Sequence, residues 1–82
     1  MQISVFGLGY VGAVSCACLS ELGHRVIGVD VSQAKVDLIN RGQSPIVEHE
    51  LPERLKAAVD SGTLSATVEA HEAVRQSEVA LV

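Results

Sequence analysis

Gly7-Leu8-Gly9-Tyr10-Val11-Gly12, set directly behind the apolar run Ile3-Ser4-Val5-Phe6, is the stretch on which the fold turns. Gly7 and Gly9 interrupt a β-branched segment, and Tyr10 to Leu22 then runs on to a stop at Gly23. A buried strand that ends in a tight turn and opens at once into a helix is the expected result. The G-x-G-x-x-G spacing gives each glycine its own task. Gly7 lets the chain turn out of the strand, Gly9 lets the backbone approach a pyrophosphate, and Gly12 lets the helix pack closely on the sheet. The helix N-terminus then offers free N–H groups and partial positive charge to the phosphates.

Working outward, Arg25 to Val29 is again β-branched and reads as a second strand, with Asp30 at its end. Asp30 stands 18 residues after Gly12, where a carboxylate can accept hydrogen bonds from the adenosine ribose hydroxyls. Ser32 is a plausible N-cap for a helix through Asn40, with Val36 and Ile39 facing inward. Arg41 to Val47, with Gly42 and Pro45, reads as a loop. Leu51, Leu55, Ala58 and Val59 mark a third helix with Pro52 near its start and Gly62 at its end. Leu64 to Val68 makes a weak third strand, Ala70, Ala73 and Val74 a short helix, and Val79 to Val82 the start of a fourth strand. In the first helix Val11, Val14, Cys18 and Leu22 share one face and mark it as the apolar one. Cys16 and Cys18 both read as buried small residues, too far round the helix from each other to bridge or to chelate one metal.

Strands alternating with helices at this spacing imply parallel β-α-β units with right-handed crossovers. The expected fold class is α/β: a Rossmann-like parallel sheet in the order 3-2-1-4, helices on both faces, truncated in the fourth strand. Residues 1–82 are read as the N-terminal, incomplete part of an NAD-binding Rossmann domain, whose outer strands present open edges. The carboxylate at Asp30 would repel a 2′-phosphate, so NAD is expected over NADP.

Other chemistries fit poorly. Gly7 and Gly12 have the outer spacing of a P-loop, but Ala13 and Val14 stand where Lys and Ser/Thr are needed. His49-Glu50 has Glu53 where a zincin helix needs its second histidine, and Pro52 intervenes, so no metal site is expected. His24, His49 and His71 read as ordinary surface histidines, and Glu50 and Glu53 as acids favoured near a helix start. The formal net charge is −4 and the six basic residues are scattered, which disfavours nucleic acid as a partner. No basic leader precedes the first strand and no apolar run reaches ~20 residues, so neither secretion nor membrane insertion is expected and a cytoplasmic location is. The chain is 48% hydrophobic but 2% aromatic, so its core has to be aliphatic.

Several stretches together resemble one family: Phe6-Gly-Leu-Gly-Tyr-Val-Gly12, Gly23-His24, Val26-Ile-Gly-Val-Asp30, Lys35-Val-Asp-Leu-Ile-Asn40 and Ser44-Pro-Ile-Val-Glu48. Across essentially the whole chain the sequence resembles the N-terminus of the UDP-glucose and GDP-mannose dehydrogenases, and within them it leans to the GDP-mannose branch. The resemblance implies cofactor contacts at Tyr10, Val11, Asp30 and Lys35, beside Gly7, Gly9 and Gly12. It also implies oxidation of a sugar C6 hydroxyl to a carboxylate, with two NAD, through a thioester on a cysteine far downstream. Neither Cys16 nor Cys18 matches that motif, so no catalytic residue is expected within 1–82, and this chain alone is expected to be inactive. A homo-oligomer is expected of the full-length protein. The family usually continues Glu-Pro-Gly-Leu after the Ser44 loop, whereas His49 and Glu50 stand here between Glu48 and Leu51, so no role for Glu48 is carried over. A different NAD-dependent dehydrogenase and a non-catalytic nucleotide-sensing domain remain as alternatives.

Overall fold

The computed structural model describes residues 1–45 and 50–82. Of the expected loop Arg41 to Val47, the last two residues lie outside the described residues, as do Glu48 and His49. Among those described the chain forms β1 (Gln2–Phe6), α1 (Tyr10–Glu21), β2 (Arg25–Val29), α2 (Gln33–Asn40), α3 (Leu51–Asp60), β3 (Leu64–Thr67), α4 (Ala70–Gln76) and β4 (Val79–Leu81). The strands make one parallel sheet in the order β3-β2-β1-β4. The α/β class, the strand order and every expected element are therefore present, with β3 ending one residue earlier than the sequence implied.

Alternation along the strands sorts the side chains onto two faces. Ile3, Val5, Val26 and Leu64 face one way and pack with Leu8, with Ala13, Cys16 and Ala17 of α1, with Val36 and Ile39 of α2, and with Leu51, Leu55 and Ala58 of α3. Ile27 and Val29 face the other way, against Ala73 of α4 and the half-buried Phe6. The first cluster carries most of the core, and it is aliphatic as the composition required.

Local chemistry explains the helix limits. Ser32 caps α2 by accepting a hydrogen bond from Lys35 N–H at 3.3 Å. Pro52 occupies the first turn of α3, where a missing N–H costs nothing. Gly23 and Gly62 lie just beyond α1 and α3 in the left-handed region, at φ 95° and 81°.

The face of α1 differs from the expectation. Val11 and Leu22 are 75% and 73% exposed, Cys18 is exposed, and only Val14 of the four packs half-buried on the core. The buried face is Ala13, Cys16, Ala17 and Ser20. Apolar size misled the reading: the fully buried side of α1 is made of small side chains, with Val14 and Leu19 half-buried at its margins. The two cysteines accordingly separate, Cys16 into the core and Cys18 to the surface, where its Sγ accepts a hydrogen bond from Arg54 at 3.2 Å.

One sheet edge is also less open than expected. The Asn40 carboxamide donates to Ala66 C=O at 3.0 Å and accepts from Ala66 N–H at 2.9 Å, completing the outward-facing backbone pair of β3. The side chain imitates a neighbouring strand at that residue. On the opposite edge all three residues of β4 are exposed.

Candidate functional site

The glycine loop takes the form its composition prescribes. Gly7 sits at φ 94°, a conformation in which a side chain is strained, and its N–H continues the ladder by donating to Val29 C=O at 2.8 Å. Gly9 is the N-cap of α1 in extended backbone, with no side-chain cap bond on the helix and no acid in its first turn. A Cβ added at Gly9 would meet nothing within 4 Å. A Cβ added at Gly12 would overlap the Gly7 carbonyl oxygen and lie 2.8 Å from its carbon. Gly12 therefore seats α1 against the turn itself, a closer contact than the helix-on-sheet packing the spacing implied. The helix N-terminus has no side-chain cap and no acid in its own first turn, and the space beside Gly9 is open, which suits a pyrophosphate.

Asp30 is joined directly to this loop. Its Oδ2 accepts from Leu8 N–H and its Oδ1 from Ser32 N–H, each at 2.8 Å. Those two N–H groups hold the carboxyl below its ordinary value of 3.8, with the Lys35 charge adding a smaller pull in the same direction. The residue thus works as a turn anchor, while each oxygen keeps a second lone pair for an outside donor such as a ribose hydroxyl. Lys35 is half-buried on the first turn of α2, near enough to act on that carboxylate.

A cleft of about 240 Å³ opens at the ends of β1, β2 and β3, lined by Phe6, Gly7, Val29, Asp30, Val31, Val68 and Ala70. Its walls are mostly apolar, with the Asp30 carboxylate at the rim. Tyr10 and Val11 lie on the exposed start of α1, 59% and 75% open. Gly7, Gly9, Tyr10, Val11, Gly12 and Asp30 are thus gathered at one end of the sheet. The sequence did not single out Val31, which is 98% exposed beside Asp30, or Leu8, which is wholly buried within the loop. An apolar residue after the acid and one between two glycines were the signals available.

A larger cavity, about 300 Å³, lies elsewhere, between the C-terminal parts of α1 and α3. Its polar groups are mostly committed to one another: Arg54 to Glu21 at 2.6 Å, and the Ser61 and Thr63 hydroxyls to Ala58 C=O. Size alone therefore does not mark the site. His24 is half-buried and His71 exposed, and among the described residues no three His, Cys, Asp or Glu side chains gather as metal ligands would. No helix among them is long and apolar enough to cross a membrane.

Comparison with known proteins agrees with this arrangement. GDP-mannose 6-dehydrogenase of Pseudomonas aeruginosa is 55% identical over the whole chain, which covers 19% of that enzyme. UDP-glucose 6-dehydrogenase of Rhizobium meliloti is 38% identical over the same span and share. A crystal structure described as a ternary complex of GDP-mannose dehydrogenase from Pseudomonas aeruginosa superposes with TM-score 0.96 at 56% identity, covering 98% of this chain and 18% of that one. The chain spans about a fifth of the length of the curated relatives it matches. The family model for the NAD binding domain of the UDP-glucose/GDP-mannose dehydrogenases matches residues 1–82. With the glycine turn, the uncapped helix and the anchored acid in place, the chain belongs to the NAD-binding domain of the UDP-glucose/GDP-mannose dehydrogenase family, and its cofactor is NAD.

Proposed function

We propose that this chain is the cofactor-binding part of a nucleotide-sugar 6-dehydrogenase that oxidises GDP-mannose to GDP-mannuronate with two NAD. The observation that carries the choice of sugar is the identity over the same 82 residues, 55% to a GDP-mannose enzyme against 38% to a UDP-glucose enzyme. In this reading the N–H groups at the start of α1, including those of Tyr10 and Val11, hold the pyrophosphate. Gly9 leaves room for it and Gly7 shapes the turn, while Gly12 seats the helix. Asp30 accepts the adenosine ribose hydroxyls and Lys35 contributes charge on the adenosine side. NAD, when bound, supplies the hydride acceptor. No residue of 1–82 is assigned to catalysis or to reading the sugar's base, so this chain alone is inactive, and the nucleotide sugar is a partner of the full-length protein. That protein is assigned to the cytoplasm as a homo-oligomer serving polysaccharide biosynthesis.

NADH formation by the full-length dehydrogenase, offered GDP-mannose and UDP-glucose separately, tests the proposal. Turnover confined to GDP-mannose is expected. Turnover confined to UDP-glucose transfers the assignment to that sugar, and turnover with neither removes it.

A further inference from the structure

Gly28 lies inside β2, paired with Val5 of β1 and Ala66 of β3, and its backbone is not among those at positive φ. A glycine inside a strand weakens it unless something uses the missing side chain. Here the user is identifiable. A Cβ on Gly28 would lie 2.8 Å from Leu8 Cδ2, 3.5 Å from Leu8 Cδ1 and 3.6 Å from Cys16 Sγ. Leu8 stands between the first two glycines of the loop, yet it is completely buried, as is Cys16. The same residue's N–H donates to Asp30 Oδ2 at 2.8 Å.

We propose that Gly28 is a positioning residue for the cofactor site: the space left by its missing side chain seats Leu8, and the seated Leu8 holds the glycine loop with its N–H on the Asp30 carboxylate. This rests on the reading of Asp30 as the acceptor of the adenosine ribose and adds how that carboxylate is aimed. Gly7 N–H is held by Val29 C=O and Gly9 C=O by Ala13 N–H, but neither bond is made by Leu8 itself, which stands between two glycines with flexible backbone. Its apolar side chain, buried to the tip, holds it in one position. The 2.8 Å contact involves the end of a flexible side chain, so a methyl group at position 28 displaces Leu8 rather than the sheet. The fold survives and the loop moves.

The test reads backbone amides of the isotope-labelled chain while pH is lowered from neutral. In the wild type the Leu8 and Ser32 amide resonances follow one titration, that of Asp30, and Leu8 methyl protons show a nuclear Overhauser contact to Gly28 Hα. In Gly28→Ala the Ser32 amide keeps that response, the Leu8 amide loses it, and the NAD dissociation constant measured by calorimetry rises about tenfold. A Leu8 amide that still follows Asp30 in Gly28→Ala, with unchanged NAD affinity, overturns the proposal. Leu8→Ala vacates the seat from the other side and is expected to uncouple the residue 8 amide in the same way. If Gly28→Ala fails to fold, an amide that stays coupled in Leu8→Ala, or absence of the wild-type contact, overturns it. The amide readout needs no cofactor, so a wild-type chain without NAD affinity counts against the cofactor reading while the amides decide the role of Gly28.

Discussion

Gly9 and Gly12, three residues apart in the same motif, should fail for opposite reasons when each is replaced by alanine. At Gly12 the added Cβ overlaps the Gly7 carbonyl oxygen and comes within 2.8 Å of its carbon. Ordinary carbon–carbon contacts are about 3.5 to 4.0 Å, so the shortfall is about 1 Å at carbon and larger at oxygen. Backbone stands on both sides of that collision, and α1 has to lift off the turn. Overpacking of this kind costs about 3 kcal/mol or more. An 82-residue domain holds roughly 4 to 12 kcal/mol in all, so Gly12→Ala removes much of its stability. At Gly9 the new methyl meets nothing within 4 Å, and φ −78° with ψ −156° is extended backbone that alanine adopts. Its cost is that of a poorer N-cap, about 1 kcal/mol at most. The methyl instead enters the space assigned to the pyrophosphate, so NAD affinity should fall at least about tenfold. Urea unfolding measures the first effect, with a midpoint lowered by about 1 to 3 M in Gly12→Ala and little changed in Gly9→Ala. Calorimetric titration with NAD measures the second. Equal midpoints for the two variants, or wild-type NAD affinity in Gly9→Ala, would refute the division of labour drawn from the geometry.

Asp30→Ala should weaken NAD binding and narrow the preference over NADP in parallel titrations, since like charges ~4 Å apart repel by roughly 1 to 4 kcal/mol. The Asp30 carboxyl titrates lower in the folded chain than its ordinary 3.8, so its contribution to stability is full above that value and is lost as pH falls through the lowered one. Acid unfolding followed by circular dichroism should therefore be less steep in Asp30→Asn than in the wild type over that acidic window. Asn40→Ala deletes two backbone-directed hydrogen bonds and should cost about 1 to 3 kcal/mol, read from the urea midpoint. Under native conditions iodoacetamide should label Cys18 and spare Cys16, whose thiol burial pushes up to about 12; peptide mapping by mass spectrometry distinguishes them.

Strand order, helix starts and the gathering of Gly7, Gly9, Gly12 and Asp30 were legible because each depends on short-range chemistry: glycine turns, a serine cap, a proline in a first turn, an acid at a strand end. The buried face of α1 was not. Counting large aliphatics assigns Val11 and Leu22 inward, but the side of α1 that packs on the sheet is Ala13, Cys16, Ala17 and Ser20, with Val14 and Leu19 half-buried beside them. Which side packs is a tertiary quantity. The seat of Leu8 on Gly28 was invisible for the same reason, since 20 residues separate two partners whose contact exists only once β2 lies beside β1. Asp30 was legible as an acid at the end of β2, but its bond to Leu8 N–H could not be read from spacing.

The carboxamide that Asn40 lends to Ala66 makes the two edges of the sheet unequal. Asn40 precedes β3 in the chain, so during synthesis the stopper leaves the ribosome before the strand it closes. An arriving strand would have to evict a bidentate partner at Ala66, whereas β4 pairs only with β1 among the described residues. At that residue a further strand therefore meets a competitor on the β3 side that the β4 side does not present among the described residues.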